Sequence, residues 1–331
     1  MTLVRERRHQ KALRLSLPPS PQPSYTDFQM PTYSPGLSPV ASPDSPVIES
    51  LSELEKLAVL GHGNGGTVYK VRHKSSSSIH ALKVLRFSHN TGGLRWQQAA
   101  REAEILKLVD SPHVIRCHGV FDSGMDSNGS GDLCFLMEYM ASGSLQDLLR
   151  ARHRLSEYEI SHIAICVLKG LHYLHQMQIV HRDIKPANLL INNREVKIAD
   201  FGVSEIGDCG GCDSCESYMG TWAYMSPERF DPERLGGGGT SMGFAGDVWS
   251  LGVVVLECYM GRFPLTGAGQ KLDWTSLMCV ICFGESVELP AKASPEFRSF
   301  VGRCLEKDWR RRATVDELLQ HPFVNLACGS C

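Results

Sequence analysis

The sequence predicts an α+β fold in two unequal lobes, a small β-rich N-terminal lobe and a larger, mainly helical C-terminal lobe, with a disordered N-terminal tail. Three observations carry this. Leu54 to Val84 alternates apolar and polar residues around glycines, the period-two pattern of strands. Beyond Ser144 the apolar residues recur at helical spacing. Of 17 prolines, 9 crowd into residues 18–46 beside Ser20, Ser24, Ser34, Ser38, Ser42 and Ser45, a composition with too little apolar surface to offset its own ordering entropy.

In chain order, residues 1–52 are the tail. Residues 53–137 form the N-lobe, with strands through Val84, a helix from Trp96 to Val109, and a strand from Phe135 to Tyr139. A joint over 138–143, marked by Gly143, leads to the C-lobe at 144–324. Its helical periods fall at Glu159 to His175, Asp247 to Met260, Pro295 to Glu306 and Thr314 to Leu319; residues 325–331 are a C-terminal tail. With 331 residues, 42% hydrophobic and 21% charged, the chain can bury a large core. The longest apolar run, near Leu251 to Leu256, ends at Glu257, far short of the roughly 20 residues of a membrane helix. No membrane span is expected. A net charge of −2 offers no global field to hold nucleic acid, although residues 1–16 carry five Lys/Arg against one Glu. Twelve cysteines without a secretory signal favour a cytoplasmic or nuclear compartment; an Arg-rich transit peptide is the rival, opposed by Glu6, Asp27 and the prolines.

Gly61-His62-Gly63-Asn64-Gly65-Gly66-Thr67-Val68 fits G-x-G-x-x-G-x-V, where missing Cβ atoms let a hairpin backbone approach phosphates. A dinucleotide fingerprint shares that spacing, but Tyr69-Lys70-Val71 continues as a strand where that fold would open a helix. Seventeen residues after Gly66, Lys83 follows Ala81 on a strand and can hold the α- and β-phosphates. Glu102 on the next helix can fix that lysine; Glu104 competes, and register favours Glu102. More specific is His181-Arg182-Asp183-Ile184-Lys185-Pro186-Ala187-Asn188. Asp183 can accept a hydroxyl proton, Lys185 can steady a transferring phosphoryl group, and Asn188 can ligate Mg²⁺. Asp200-Phe201-Gly202 supplies a second metal carboxylate; such oxygens suit a hard cation.

Over residues 55 to 324 the chain resembles a eukaryotic protein kinase, which implies the bilobal protein kinase fold. Ser226-Pro227-Glu228 and Asp247-Val248-Trp249-Ser250-Leu251-Gly252 also match, and Arg312 stands where the family pairs an arginine with Glu228. The resemblance implies ATP contacts from Leu60 through Val68, Ala81, Met137 before the hinge, and Glu138 to Met140. Lys185 is similar to serine/threonine kinases. A narrower resemblance, to MAP kinase kinases and above all the short plant group D, rests on Ile198 to Ser204, Gly220 to Arg229 and Met137 to Met140. It implies transfer to both Thr and Tyr of a MAP kinase. Arg7, Arg8 and Lys11 ahead of Leu13 and Leu15 resemble a MAP kinase docking site; a solvated basic tail or a short membrane contact is the other reading. Ser34, Ser38, Ser42 and Ser45 each precede proline, which suits proline-directed phosphorylation or a plain linker.

Departures from the family concentrate in the activation loop. Arg182 would be neutralised and ordered by loop phosphorylation. Ser217 occupies the second of two expected phosphosites, yet Gly211 stands at the first; Ser214 can substitute, and Thr221 is a further regulatory candidate. How an upstream MAP kinase kinase kinase would activate the chain is thereby open. Cys209, Cys212 and Cys215 lack a fourth zinc ligand nearby and read as a flexible loop, with redox control as the alternative. Cys279 and Cys282 lie in an apolar helical pattern and read as packed core. A monomeric kinase is expected, with a weakly catalytic docking scaffold, or a Ser/Thr kinase of another pathway tier, as alternatives.

Overall fold

The computed structural model describes residues 48–63, 66–87, 92–122, 131–202, 204–206, 222–235, 239–265, 274–284 and 287–326. The basic docking segment, the Ser-Pro sites, Asn64, Gly65, Cys209 to Ser217 and Thr221 lie outside those residues.

The alternation from Leu54 onward folds as strands β1 (Leu54–Gly63), β2 (Gly66–His73) and β3 (Ile79–Phe87), followed by helix α1 (Gly92–Leu108) and strands β4 (Cys117–Asp122) and β5 (Gly131–Glu138). The sheet runs β1-β2-β3-β5-β4, antiparallel throughout. Its two faces bury different residues because side chains alternate across a pleated strand. Leu82, Val84, Cys134 and Leu136 join Leu54 and Val71 in a small core, against which Ile48 and Leu51 pack. The sequence boundary at residue 52 therefore falls inside a packed stretch. Ser50 caps the 3₁₀ turn Leu51–Glu53, and Glu53 returns a carboxylate to the Ser50 N–H at 2.8 Å. Leu85, Phe87, Leu133 and Phe135 face the other way, towards Ala99, Ala103, Ile105 and Leu106 of α1.

The C-lobe opens with α2 (Leu145–Arg152) and α3 (Glu157–Gln176), then β6 (Ile179–Val180), β7 (Leu189–Asn192), β8 (Glu195–Ile198) and β9 (Glu205–Ile206). After these come α4 (Pro227–Phe230), α5 (Pro232–Leu235), α6 (Gly239–Met260), α7 (Trp274–Met278), α8 (Pro295–Cys304), α9 (Val315–Leu319) and α10 (Pro322–Asn325). Ser144, Ser156 and Thr314 form capping boxes with Asp147, Glu159 and Glu317, which sets the starts of α2, α3 and α9. Helix α6 begins at Gly239, well before the expected Asp247. Its 22 residues are long and apolar enough to cross a membrane by length and composition, but 67% of its most apolar stretch is buried within the protein. Trp249, Leu251 and Val253 to Leu256 are fully enclosed, so α6 is the central core helix of this lobe. Gly252 lets α8 approach closely, since a Cβ there would meet the Cβ of Cys304 at 2.6 Å.

The packed-core reading of Cys279 and Cys282 is corrected. The segment Cys279–Phe283 forms a wider π turn, with Cys279 exposed and Cys282 half-buried; only Ile281 is buried.

Candidate functional site

Strand β3, helix α1, the loop between β6 and β7 and the segment after β8 deliver the parts of a polar cluster between the lobes. Lys83 on β3 points away from the small core and is 9% exposed. Its Nζ donates to Glu102 Oε1 of α1 at 2.6 Å and to Asp200 Oδ1 at 2.8 Å. Between the two acidic candidates on α1 the fold selects Glu102, which is buried, whereas Glu104 is exposed. Burial alone would pull the Lys83 ammonium down, but the carboxylates of Asp200 and Glu102 outweigh it and hold it above its ordinary value. Burial likewise pushes against the Asp200 carboxylate, and Lys83 reverses the balance to hold it below the carboxylate range.

The loop between β6 and β7 carries Asp183, Lys185 and Asn188. Lys185 Nζ and Asn188 Nδ2 both donate to Asp183 Oδ2, at 2.7 and 2.8 Å. Asn188 Nδ2 also donates to the Asp183 carbonyl at 2.9 Å, which commits the amide nitrogen inward and leaves the amide oxygen for a cation. Burial raises the Asp183 carboxyl above its ordinary value, with Lys185 opposing, so this carboxylate is a better base than a solvated one.

The geometry of that loop is imposed from α6. Arg182 has φ +68° and Asp200 φ +68°, left-handed values that cost a non-glycine residue on the order of 1–3 kcal/mol. Asp247, buried on α6, accepts from the His181 N–H at 2.9 Å and the Arg182 N–H at 2.8 Å. His175 Nε2 donates to the same carboxylate at 3.0 Å. Arg229 Nη1 donates to the Arg182 carbonyl at 2.6 Å. The His181 ring is buried and held below its ordinary value by desolvation. Its Nδ1 accepts the Asp183 N–H, so Nε2 carries the proton donated to the Ala199 carbonyl.

The glycine-rich hairpin lies at the β1–β2 turn. A Cβ at Gly66 would meet Leu85 Cδ2 at 2.5 Å and the Val84 carbonyl oxygen at 2.8 Å, so only glycine fits against β3 there. A Cβ at Gly61 meets nothing within 4 Å, leaving open space along the hairpin. His62 Nδ1 and Thr67 Oγ1 bond across it at 3.2 Å, Val68 is half-buried and Leu60 is exposed. Ala81 is buried, Met137 packs partly buried against the large core, and Met140 is buried at the start of the joint. Glu138 has its N–H committed to the Arg116 carbonyl at 3.0 Å, and its carboxylate accepts from Lys197 Nζ at 2.7 and 2.8 Å.

Sequence reasoning missed several supports: the His175 bond to Asp247, the Lys197 pair with Glu138, and the 2.6 Å bond from Tyr224 Oη to Glu257 Oε2. Each joins residues far apart in the chain, and no local spacing announces them. The expected Glu228 and Arg312 pair is present, at 2.7 and 2.9 Å.

The protein kinase domain family matches residues 54–324. Over 98% of its length the chain is 53% identical to mitogen-activated protein kinase kinase 10 of Arabidopsis thaliana, covering 99% of that protein. It is 50% and 48% identical to mitogen-activated protein kinase kinases 9 and 7 of the same plant, again over 98% of the chain and 99% of each relative. A chain whose kinase-domain match spans most of its length, and which is this similar to three such proteins along nearly all of it, belongs to the protein kinase family, among the mitogen-activated protein kinase kinases.

Proposed function

We propose that the protein is a dual-specificity kinase that uses ATP and Mg²⁺ to phosphorylate both a Thr and a Tyr in the activation loop of a MAP kinase. The observation that supports catalysis most is Lys83 Nζ held at once by Glu102 and Asp200. A protein that only docked its partner would have no use for a desolvated lysine bridging two lobes. The donor set fits the cofactors: Asp200 and Asn188 offer hard oxygen ligands, and the open side of Gly61 leaves room for phosphate. When bound, Mg²⁺ would be held by Asp200 and Asn188 and offset charge on the phosphates.

Lys83 orients the α- and β-phosphates, and Glu102 keeps its ammonium in place. Asp183 Oδ1 takes the proton of the attacking hydroxyl while Lys185 offsets charge on the transferring phosphoryl group. Asp247 and Arg229 keep the loop in its strained form before substrate arrives, so no reorganisation falls on the reaction itself. The names of the Arabidopsis relatives favour a MAP kinase as substrate and a MAP kinase kinase kinase as activator. Recruitment would run through Arg7, Arg8, Lys11, Leu13 and Leu15 of the tail, with the protein acting as a monomer in the cytoplasm and nucleus.

The test incubates purified protein with ATP, Mg²⁺ and a catalytically inactive MAP kinase. Phosphate on both Thr and Tyr, absent with Asp183→Ala, supports the reading; binding without transfer, or transfer undiminished in Asp183→Ala, overturns it. Changing Arg7, Arg8, Leu13 and Leu15 to Ala should weaken MAP kinase binding, and equal binding would refute the docking role.

A further inference from the structure

The π turn Cys279–Phe283 is not used by the phosphotransfer site, yet it carries an unusual pair of thiols. Among the described residues Cys279 is the exposed cysteine; Cys134, Cys166, Cys258 and Cys304 are buried. Cys117 is half-buried, its thiol donates to the Gly119 carbonyl, and burial pushes it up to about 11. Cys282, three residues after Cys279, points inward, and its thiol donates to the Pro227 carbonyl at 3.7 Å. Pro227 begins α4 at the end of the activation segment, and the same carbonyl accepts the Asp231 N–H at 3.0 Å.

We propose that Cys279 and Cys282 form an oxidation site, a dithiol that hydrogen peroxide closes into a disulfide, withdrawing the Cys282 thiol from Pro227. Access sets the order of events. Cys279 reaches solvent, whereas burial raises the Cys282 thiol, with Asp231 and Glu228 adding to the rise and Lys307 and Arg234 opposing it. The Cys279 thiolate attacks the O–O bond of peroxide, becoming a sulfenic acid as one water leaves. The Cys282 thiolate then attacks Cys279 Sγ, the S–S bond forms, and hydroxide leaves as a second water. Two thiols give up two electrons and two protons, and one peroxide becomes two waters.

Geometry makes the closure consequential. Cys279 is exposed and the Cys282 thiol is turned to the Pro227 carbonyl, whereas a disulfide needs the two Cβ atoms about 3.5–4.5 Å apart. Cys282 must swing towards Cys279 and away from the carbonyl it now touches. Lys307 Nζ holds the turn at both ends, donating to the Val280 carbonyl at 3.2 Å and the Gly284 carbonyl at 2.6 Å. With the backbone held there, closure is made by the side chains, and the contact it breaks is that of Cys282 with the Pro227 carbonyl.

Trypsin releases residues 272–292 as one peptide whose two cysteines are Cys279 and Cys282. Full-length protein treated with peroxide should show this peptide lighter by about 2 Da, restored by dithiothreitol. Cys282→Ser should instead accumulate sulfenic acid on Cys279, trapped by dimedone, and Cys279→Ser should show neither product. Amide hydrogen exchange across 226–231 should quicken several-fold on oxidation of the wild type. A peptide that keeps its reduced mass overturns the site; a bond that forms with unchanged exchange overturns its link to Pro227. These readouts do not depend on phosphotransfer, so their failure leaves the kinase assignment intact.

Discussion

Removing Arg312 tests what secures the end of the activation segment. Its Nη1 and Nη2 donate to Glu228 Oε1 and Oε2 at 2.7 and 2.9 Å, and both side chains are 0% exposed. The guanidinium also donates to the carbonyls of Ala245, Glu306 and Lys307 and lies over the Trp249 ring at 5.2 Å. Arg312→Leu would leave the Glu228 carboxylate buried and unpaired, a loss that costs about 3–5 kcal/mol. For a domain of this size each kcal/mol moves the melting temperature by about 2–4 °C, so the fall should be roughly 6–20 °C. Arg312→Lys keeps a charge but loses the two-pronged geometry, and should cost about half as much. Changing both partners, Glu228→Gln with Arg312→Met, removes the stranded charge and should recover much of the deficit. Thermal melts of the wild type, Arg312→Leu, Arg312→Lys, the double variant and its two single variants, Glu228→Gln and Arg312→Met, read all of this. A double variant that falls by the sum of the two single losses would refute the reasoning, since the pair would then be uncoupled.

Other outcomes follow from single sites. Lys83→Met should lower kcat for protein phosphorylation by about 10²–10³-fold, read by initial rates with a MAP kinase substrate. Gly66→Ala presses a Cβ against the fixed Val84 carbonyl and should destabilise the domain by about 1–3 kcal/mol, measured by urea unfolding. Burial raises the Glu257 carboxyl, so its contribution to stability is full below about 4.3, its unfolded value, and is lost as pH rises through the folded value. Glu257→Gln keeps an acceptor for Tyr224 Oη without that ionisation. Its stability should fall less than that of the wild type between pH 5 and 8, by melts in matched buffers.

Much of the site was legible because its chemistry is written in short local spacings. Asp183, Lys185 and Asn188 lie within six consecutive residues, and a loop that short can hardly avoid bringing them together. Lys83 was legible through strand period, since Leu82 and Val84 face the opposite core. Partners across the fold were not. Asp247 could be assigned to a buried helix, but its target lies 66 residues away, and periodicity reports a face without naming what meets it. The Cys279 to Cys282 stretch misled for a different reason. Reading apolar residues at a 3.6 period presumes an α-helix, and a π turn shifts the phase, carrying Cys279 and Phe283 outward while Ile281 stays inside.

The Asp247 carboxylate also sets a timetable. On a ribosome adding about 5–20 residues per second, the loop at His181 and Arg182 emerges several seconds before its anchor exists. Until α6 has been made and docked, the left-handed backbone at Arg182 lacks the two bonds that the Asp247 carboxylate accepts from the loop. The final shape of the loop is thus set late, with closure of the C-lobe core, and a nascent chain that stalls before residue 247 carries every phosphotransfer motif without the carboxylate that fixes the backbone of His181 and Arg182.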